Sequence, residues 1–129
     1  MKIDKFEDLI AWQKAQKLAL EVYKTFTPIK DWGFKDQIQR ASISVSNNIA
    51  EGFGRNSLLE YIRFLYIAHA SCNEVKSMVY LALGLNYITE EDQKILLEMC
   101  NEEGRIVNGL IASLERLKPK PQPLTPQKS

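Results

Sequence analysis

Five polar side chains have the types and the spacing to act together: Arg40, Asn47, Asn48, Glu51 and Arg55. Asn47 and Asn48 precede Glu51 by four and three residues, and Arg55 follows it by four. On a helix, residues three or four apart share a face. Glu51 can then pair with Arg55, or with Arg40 of a neighbouring copy. Gly52 closes the group and marks the end of the helix that carries it. Three chemistries are open to such a cluster. It can be a structural hydrogen-bond network fixing a turn or a subunit contact, a ligand or nucleic-acid contact, or a catalytic group. The structural reading ranks first and the catalytic one last.

Catalysis ranks last because its usual parts are missing. General acid–base work needs a pocket and titratable groups with matched pKa values. The chain has one histidine, His69, no Ser-His-acid arrangement and no glycine-rich phosphate loop after a strand. Bundle metal sites use Glu-x-x-His pairs, and the residue three before His69 is Tyr66. His69 therefore reads as structural or surface, and neither a catalytic residue, a metal nor a cofactor is expected. The run Glu90-Glu91-Asp92 reads as a helix start, and the pairs Lys14/Lys17 and Lys118/Lys120 as solvated surface.

The elements that position these residues are helical. At 129 residues, 45% hydrophobic and 26% charged, the chain has the length and composition of one domain with an ordinary core. The formal net charge is +1. Residues 118–129 hold Lys118, Lys120 and Lys128 with no acid, which leaves 14 bases against 16 acids, or −2, for residues 1–117. Binding held mainly by nucleic-acid phosphates calls for a basic face, and no strong basic excess exists here. No apolar run reaches the ~20 residues of a membrane span, and no basic start leads into an apolar core. Cys72 and Cys100 stand alone in apolar surroundings and read as reduced core residues. Together these features lead to an expected cytoplasmic location.

Four helical stretches follow from apolar periodicity, at about 5–26, 31–52, 57–84 and 89–117. In the first, Trp12, Ala15, Ala19, Val22 and Phe26 alternate in steps of three and four, Asp4, Glu7 and Asp8 suit its start, and Pro28 ends it. In the second, Ile38, Ala41, Val45 and Ile49 share a face. Its Ser42-Ile43-Ser44-Val45-Ser46 alternates like a strand, but no other segment alternates to pair with it, so helix is expected. The small residues there would let a neighbouring helix approach closely. The third opens with Ser57 and Glu60, spaced as a capping box, and Leu58, Tyr61, Leu65, Ala68, Cys72, Val75, Val79 and Ala82 run without a break. The fourth opens with Thr89 as a cap, and Glu103 and Gly104 interrupt its apolar stripe, which predicts a weak point or a contact there. Short connections make this an all-α, antiparallel up-down-up-down four-helix bundle over residues 1–117, with a Pro/Lys tail at 118–129 expected to be disordered. Trp12, Trp32, Phe53, Tyr61, Tyr66 and Tyr80 cannot all fit one narrow core, so self-association is expected.

The stretch Gln37-Ile38-Gln39-Arg40-Ala41-Ser42-Ile43-Ser44-Val45-Ser46-Asn47-Asn48-Ile49-Ala50-Glu51-Gly52, followed by Arg55, Glu60, Phe64, Leu65, Ala68, Ser71 and Glu74, is distinctive. It resembles the bacterial four-helix-bundle family of proteins encoded in intervening sequences of 23S ribosomal RNA genes, over about residues 5–117. Phe6, Leu9, Trp12 and Ala15 fit as well. Gln39 stands where that family has the first of two arginines, Val45 where proline is usual, and His69-Ala70-Ser71 lacks the family's glycine. The missing arginine weakens an inherited phosphate-binding role. The resemblance implies a shared fold and ring-like homopentamers, without an established place in the ribosome. A related branch, the accessory protein of diversity-generating retroelements, is more basic and works with a reverse transcriptase and nucleic acid.

Two functions are therefore carried forward. The first is a non-enzymatic, self-associating interaction protein whose partner is itself. The second is a nucleic-acid-binding accessory protein, in which Arg40, Arg55 and Arg63 on an oligomer would sum weak contacts. Charge disfavours the second.

Overall fold

The computed structural model describes residues 2–119. A single 3₁₀ turn, Phe6–Asp8, leads into four helices: α1 (Ile10–Phe26), α2 (Trp32–Phe53), α3 (Leu58–Gly84) and α4 (Glu90–Glu115). Each helix packs on its sequence neighbours and α4 returns to α1, while the backbones of the diagonal pairs stay more than 8 Å apart at their Cα atoms. That closed ring of neighbours is an up-and-down four-helix bundle. The antiparallel register of α3 and α4 shows in two contacts. The Cys72 thiol donates to the Cys100 carbonyl at 3.4 Å, and His69, one turn earlier, faces Gly104, one turn later.

The core is one continuous cluster along the bundle axis. Leu18, Val22 and Phe26 of α1, Ile38, Val45 and Ile49 of α2, Leu65, Val75 and Val79 of α3, and Leu96 and Val107 of α4 are fully buried. At ~1.5–3 kcal/mol per buried aliphatic or aromatic side chain, this burial is the main drive for folding.

The serine-rich segment of α2 is helical, and its hydroxyls account for why. Ser42 donates to the Gln39 carbonyl at 2.8 Å and Ser46 to that of Ile43 at 3.4 Å, bonds that a helix interior offers to short hydroxyl side chains. Gln16 of α1 donates to Ser46 at 3.0 Å.

Two helix starts depart from expectation. The first helix begins at Ile10 rather than near Lys5, because Leu9 is extended (φ −74°, ψ 125°) and the chain breaks there. The break buries Leu9, stacks Phe6 edge-on against Trp12 at 5.2 Å, and lets Gln13 donate to the Glu7 carbonyl at 2.9 Å. Asp4, Glu7 and Asp8 therefore lie outside α1. At α3 only half of the expected capping box forms. Ser57 accepts from the Glu60 amide at 3.3 Å, but the Glu60 carboxylate turns forward to Arg63 at 3.9 Å. The reciprocal box forms at α4, where Thr89 accepts from the Asp92 amide at 3.1 Å and Asp92 accepts from the Thr89 amide at 3.3 Å.

After α4, Lys118 closes on Glu115 at 2.8 Å. The expectation of disorder falls mostly on residues 120–129, which lie outside those described.

Candidate functional site

The helix that carries the polar cluster also shapes it. Two adjoining grooves, of about 530 and 320 Å³, run along the exposed side of α2 and share Arg40 and Ser44. Arg40, Asn47, Asn48 and Glu51 line them together, and Gln37, Ser71 and Glu74 complete the wall toward α3. Four of the residues picked out from sequence thus share one surface.

Inside the grooves most polar groups are already engaged. Ser44 and Ser71 lie 2.8 Å apart across the α2–α3 seam. Asn48 donates to the Ser44 carbonyl at 2.8 Å and to its hydroxyl at 2.9 Å. Gln37 donates to Glu74 at 3.1 Å, and Arg40 pairs with Asp36 at 2.9 Å. This is a hydrogen-bonded seam between two helices. Asn47 is exposed. Ser44, Ser71, Gln37 and Glu74 were not picked out as site residues, although Ser44 stands four before Asn48, a legible one-face spacing.

The remaining candidates sit apart from the seam. Arg55, beyond the end of α2, is 3.9 Å from Glu51 and lies over the Phe64 ring at 4.9 Å. Arg63 lies on α3 beside Glu60. All three arginines proposed for phosphate contact are therefore beside a carboxylate of their own chain. The grooves carry Asp36, Glu51 and Glu74 against Arg40, a net acidic wall.

Gly52 is buried within α2, one residue before its end, and works through packing as well as termination. A Cβ there would lie 2.7 Å from Phe64 Cβ and 3.2 Å from the Tyr61 carbonyl. Only a residue without a side chain permits this approach of α3. Burial in the same corner pushes the Tyr61 phenol up to about 12.

Glu103 is the residue that sequence reading located without understanding. It is fully buried, and among the described residues neither carboxylate oxygen has a hydrogen-bond partner. Burial, then the nearby Cys72 and Glu102, push its carboxyl up to about 9, against a smaller opposing pull from Lys14. Its carboxyl is held neutral at pH 7 and is buried from water.

The thiols beside it form one contact, which lowers the pKa of the Cys72 thiol and raises that of Cys100. Cys72 and Cys100 are both free and buried. The contact with the Cys72 sulfur, together with burial, pushes the Cys100 thiol far above its ordinary range, so it stays protonated. Among the described residues no three His, Cys, Asp or Glu side chains converge as a metal site. No helix there is long and apolar enough to cross a membrane.

The fold and these residues can be set beside known proteins. No curated protein matches the chain. A solved structure from Bacteroides thetaiotaomicron, described as a protein with unknown function from the S23 ribosomal protein family, is similar in fold. Its TM-score is 0.75 at 24% identity, covering 79% of this chain and 98% of that one. The family model described as 23S rRNA-intervening sequence protein matches residues 7–109, which include the whole α2–α3 seam. The chain therefore belongs to the family of 23S rRNA-intervening sequence proteins.

Proposed function

We propose that the protein is a non-enzymatic module that associates with copies of itself. The observation that carries this reading is the outer side of α3. Leu59, Tyr66, Tyr80 and Leu81 are each more than half exposed, and Ile67 and Leu85 lie among them. These side chains fall in two exposed apolar groups, Leu59 to Ile67 and Tyr80 to Leu85, and among the described helices only α2 and α4 pack beside α3, so both groups lack cover. A second copy of the chain supplies the missing cover, and aromatic side chains of this kind are favoured at such contacts.

The polar seam fits the same reading. The Ser44–Ser71 and Gln37–Glu74 bonds hold α2 to α3 and keep the α3 face in a fixed orientation, while Arg40 and Asn48 are engaged within α2. The carboxylate beside each of Arg40, Arg55 and Arg63 supports ranking nucleic-acid binding second. The sealed Glu103 and the protonated Cys100 support leaving enzymatic chemistry aside.

The test is absolute mass in solution by multi-angle light scattering at tens of micromolar, with and without structured RNA. A stable multiple of 14.8 kDa that ignores RNA and falls to the monomer in Tyr66→Glu/Tyr80→Glu is the expected result. A wild-type monomer at those concentrations overturns the reading.

A further inference from the structure

Another polar groove lies on the other flank of α3, along its seam with α4, with a volume of about 240 Å³. His69, Asn73 and Lys76 line it from α3, and Asn101, Arg105 and Asn108 from α4. Each set has the spacing i, i+4, i+7, so each is one stripe of its helix. No carboxylate lines this groove, in contrast to the α2 side.

What separates the two grooves further is commitment. Along α2, Arg40, Gln37, Ser44 and Asn48 are all engaged by partners. Among the described residues, no ion pair or side-chain hydrogen bond involves any of the six polar residues between α3 and α4. Glu102, one turn before Arg105, feels its charge but is held by Lys14 of α1 at 2.9 Å. Two cations, an imidazole and three amides thus face a groove with their donors unspent. In a chain whose first 117 residues carry two more acids than bases, this concentration of positive charge runs against composition.

The register sets the shape of the ligand. Cys72 lies against Cys100 and His69 against Gly104, which places Lys76 and Arg105 toward opposite ends. Their backbones are about eight residues apart along the axis, or ~12 Å. Asn73 and Asn101 stand between them. Arginine offers planar paired donors, lysine a point charge, and amides neutral donors, the set that oxygen-rich anions use. Cations at two ends suit two linked phosphoryl groups better than one.

We propose that the α3–α4 groove is a binding site for a small diphosphate-bearing molecule, held by Lys76 and Arg105 with Asn73 and Asn101 donating between them. This site goes beyond self-association and does not depend on it.

The test uses the full chain and inorganic pyrophosphate as the probe, followed by titration calorimetry at low ionic strength. Saturable binding is expected, weakened about tenfold or more in Lys76→Gln and in Arg105→Gln, and unchanged in Arg40→Gln. Inorganic phosphate and sulfate at matched ionic strength should bind less well. Far-UV circular dichroism checks that these surface variants keep their helices. Four results would each overturn the proposal: no saturable binding at millimolar pyrophosphate, binding indifferent to both variants, equal weakening in Arg40→Gln, or orthophosphate binding as tightly as pyrophosphate. Structured RNA that binds through these residues while pyrophosphate does not would overturn it in favour of nucleic acid.

Discussion

A methyl group at Gly52 would fall 2.7 Å from Phe64 Cβ, closer than two carbons can pack, so α2 and α3 meet through a position that admits only hydrogen. The other atoms around it are the Tyr61 ring and the Tyr61 carbonyl, and the backbone cannot swing aside as a flexible side chain does. Gly52→Ala should therefore cost about 1–3 kcal/mol, the range for overpacking a core, even though alanine is the better helix former. Urea denaturation checks this, with Gly54→Ala as the comparison, since its nearest neighbour lies at 3.6 Å and the substitution should be far milder.

Glu103 should make the protein less stable as the pH rises. Its ordinary pKa is 4.5 and its folded value is raised to about 9. Between those values the unfolded chain has lost the proton and the folded chain still holds it. Stability then falls with each step of pH across that window. Glu103→Met, which keeps the volume and removes the orphaned oxygens, should flatten this slope and raise stability at pH 8 by roughly 1–3 kcal/mol. Thermal melts from pH 5 to 9 measure both effects.

The helix starts should differ in what they lose. Thr89→Ala removes one side of a reciprocal box and should cost about 1 kcal/mol. Ser57→Ala removes a single longer bond at 3.3 Å and should cost less. Parallel denaturant curves give the ranking.

Asp31 ties the start of α2 to the loop before α4. It accepts from the Phe34 amide at 3.1 Å and from the Tyr87 hydroxyl at 2.7 Å. The Tyr87 bond first, then the Phe34 amide, hold its carboxyl below its ordinary value. A lowered carboxyl contributes stability above its unfolded pKa of 3.8 and loses it as pH falls through the folded value. Tyr87→Phe should weaken this acid-side loss, read as a shallower fall in melting temperature below pH 4.

The self-association reading predicts a division between two faces. Tyr66→Glu should change mass in light scattering without lowering helix content, because the residue is exposed in the single chain. Ser44→Ala should do the reverse, lowering stability by about 1 kcal/mol through the lost Ser71 and Asn48 contacts.

The helices themselves were legible in the sequence, and the reason is local. A three-four alternation from Leu58 to Ala82 puts one face inward, and Pro28 through its ring, and Ser57 and Thr89 through their hydroxyls, punctuate the chain locally. The stripe's interruption at Glu103 was visible too, as was the shared face of Asn48 and Glu51. What each of these meets was decided elsewhere. Ser71 and Glu74 reach the α2 groove from α3, 27 and 37 residues from their partners Ser44 and Gln37. Gly52 closes on Phe64, and Glu103 points into a core with no donor. The sequence by itself determined which residues turn inward on each helix, because helical periodicity is a property of one segment. The tertiary structure decided which of them face one another, because that depends on the rotation and sliding of whole helices, and packing across the bundle sets both.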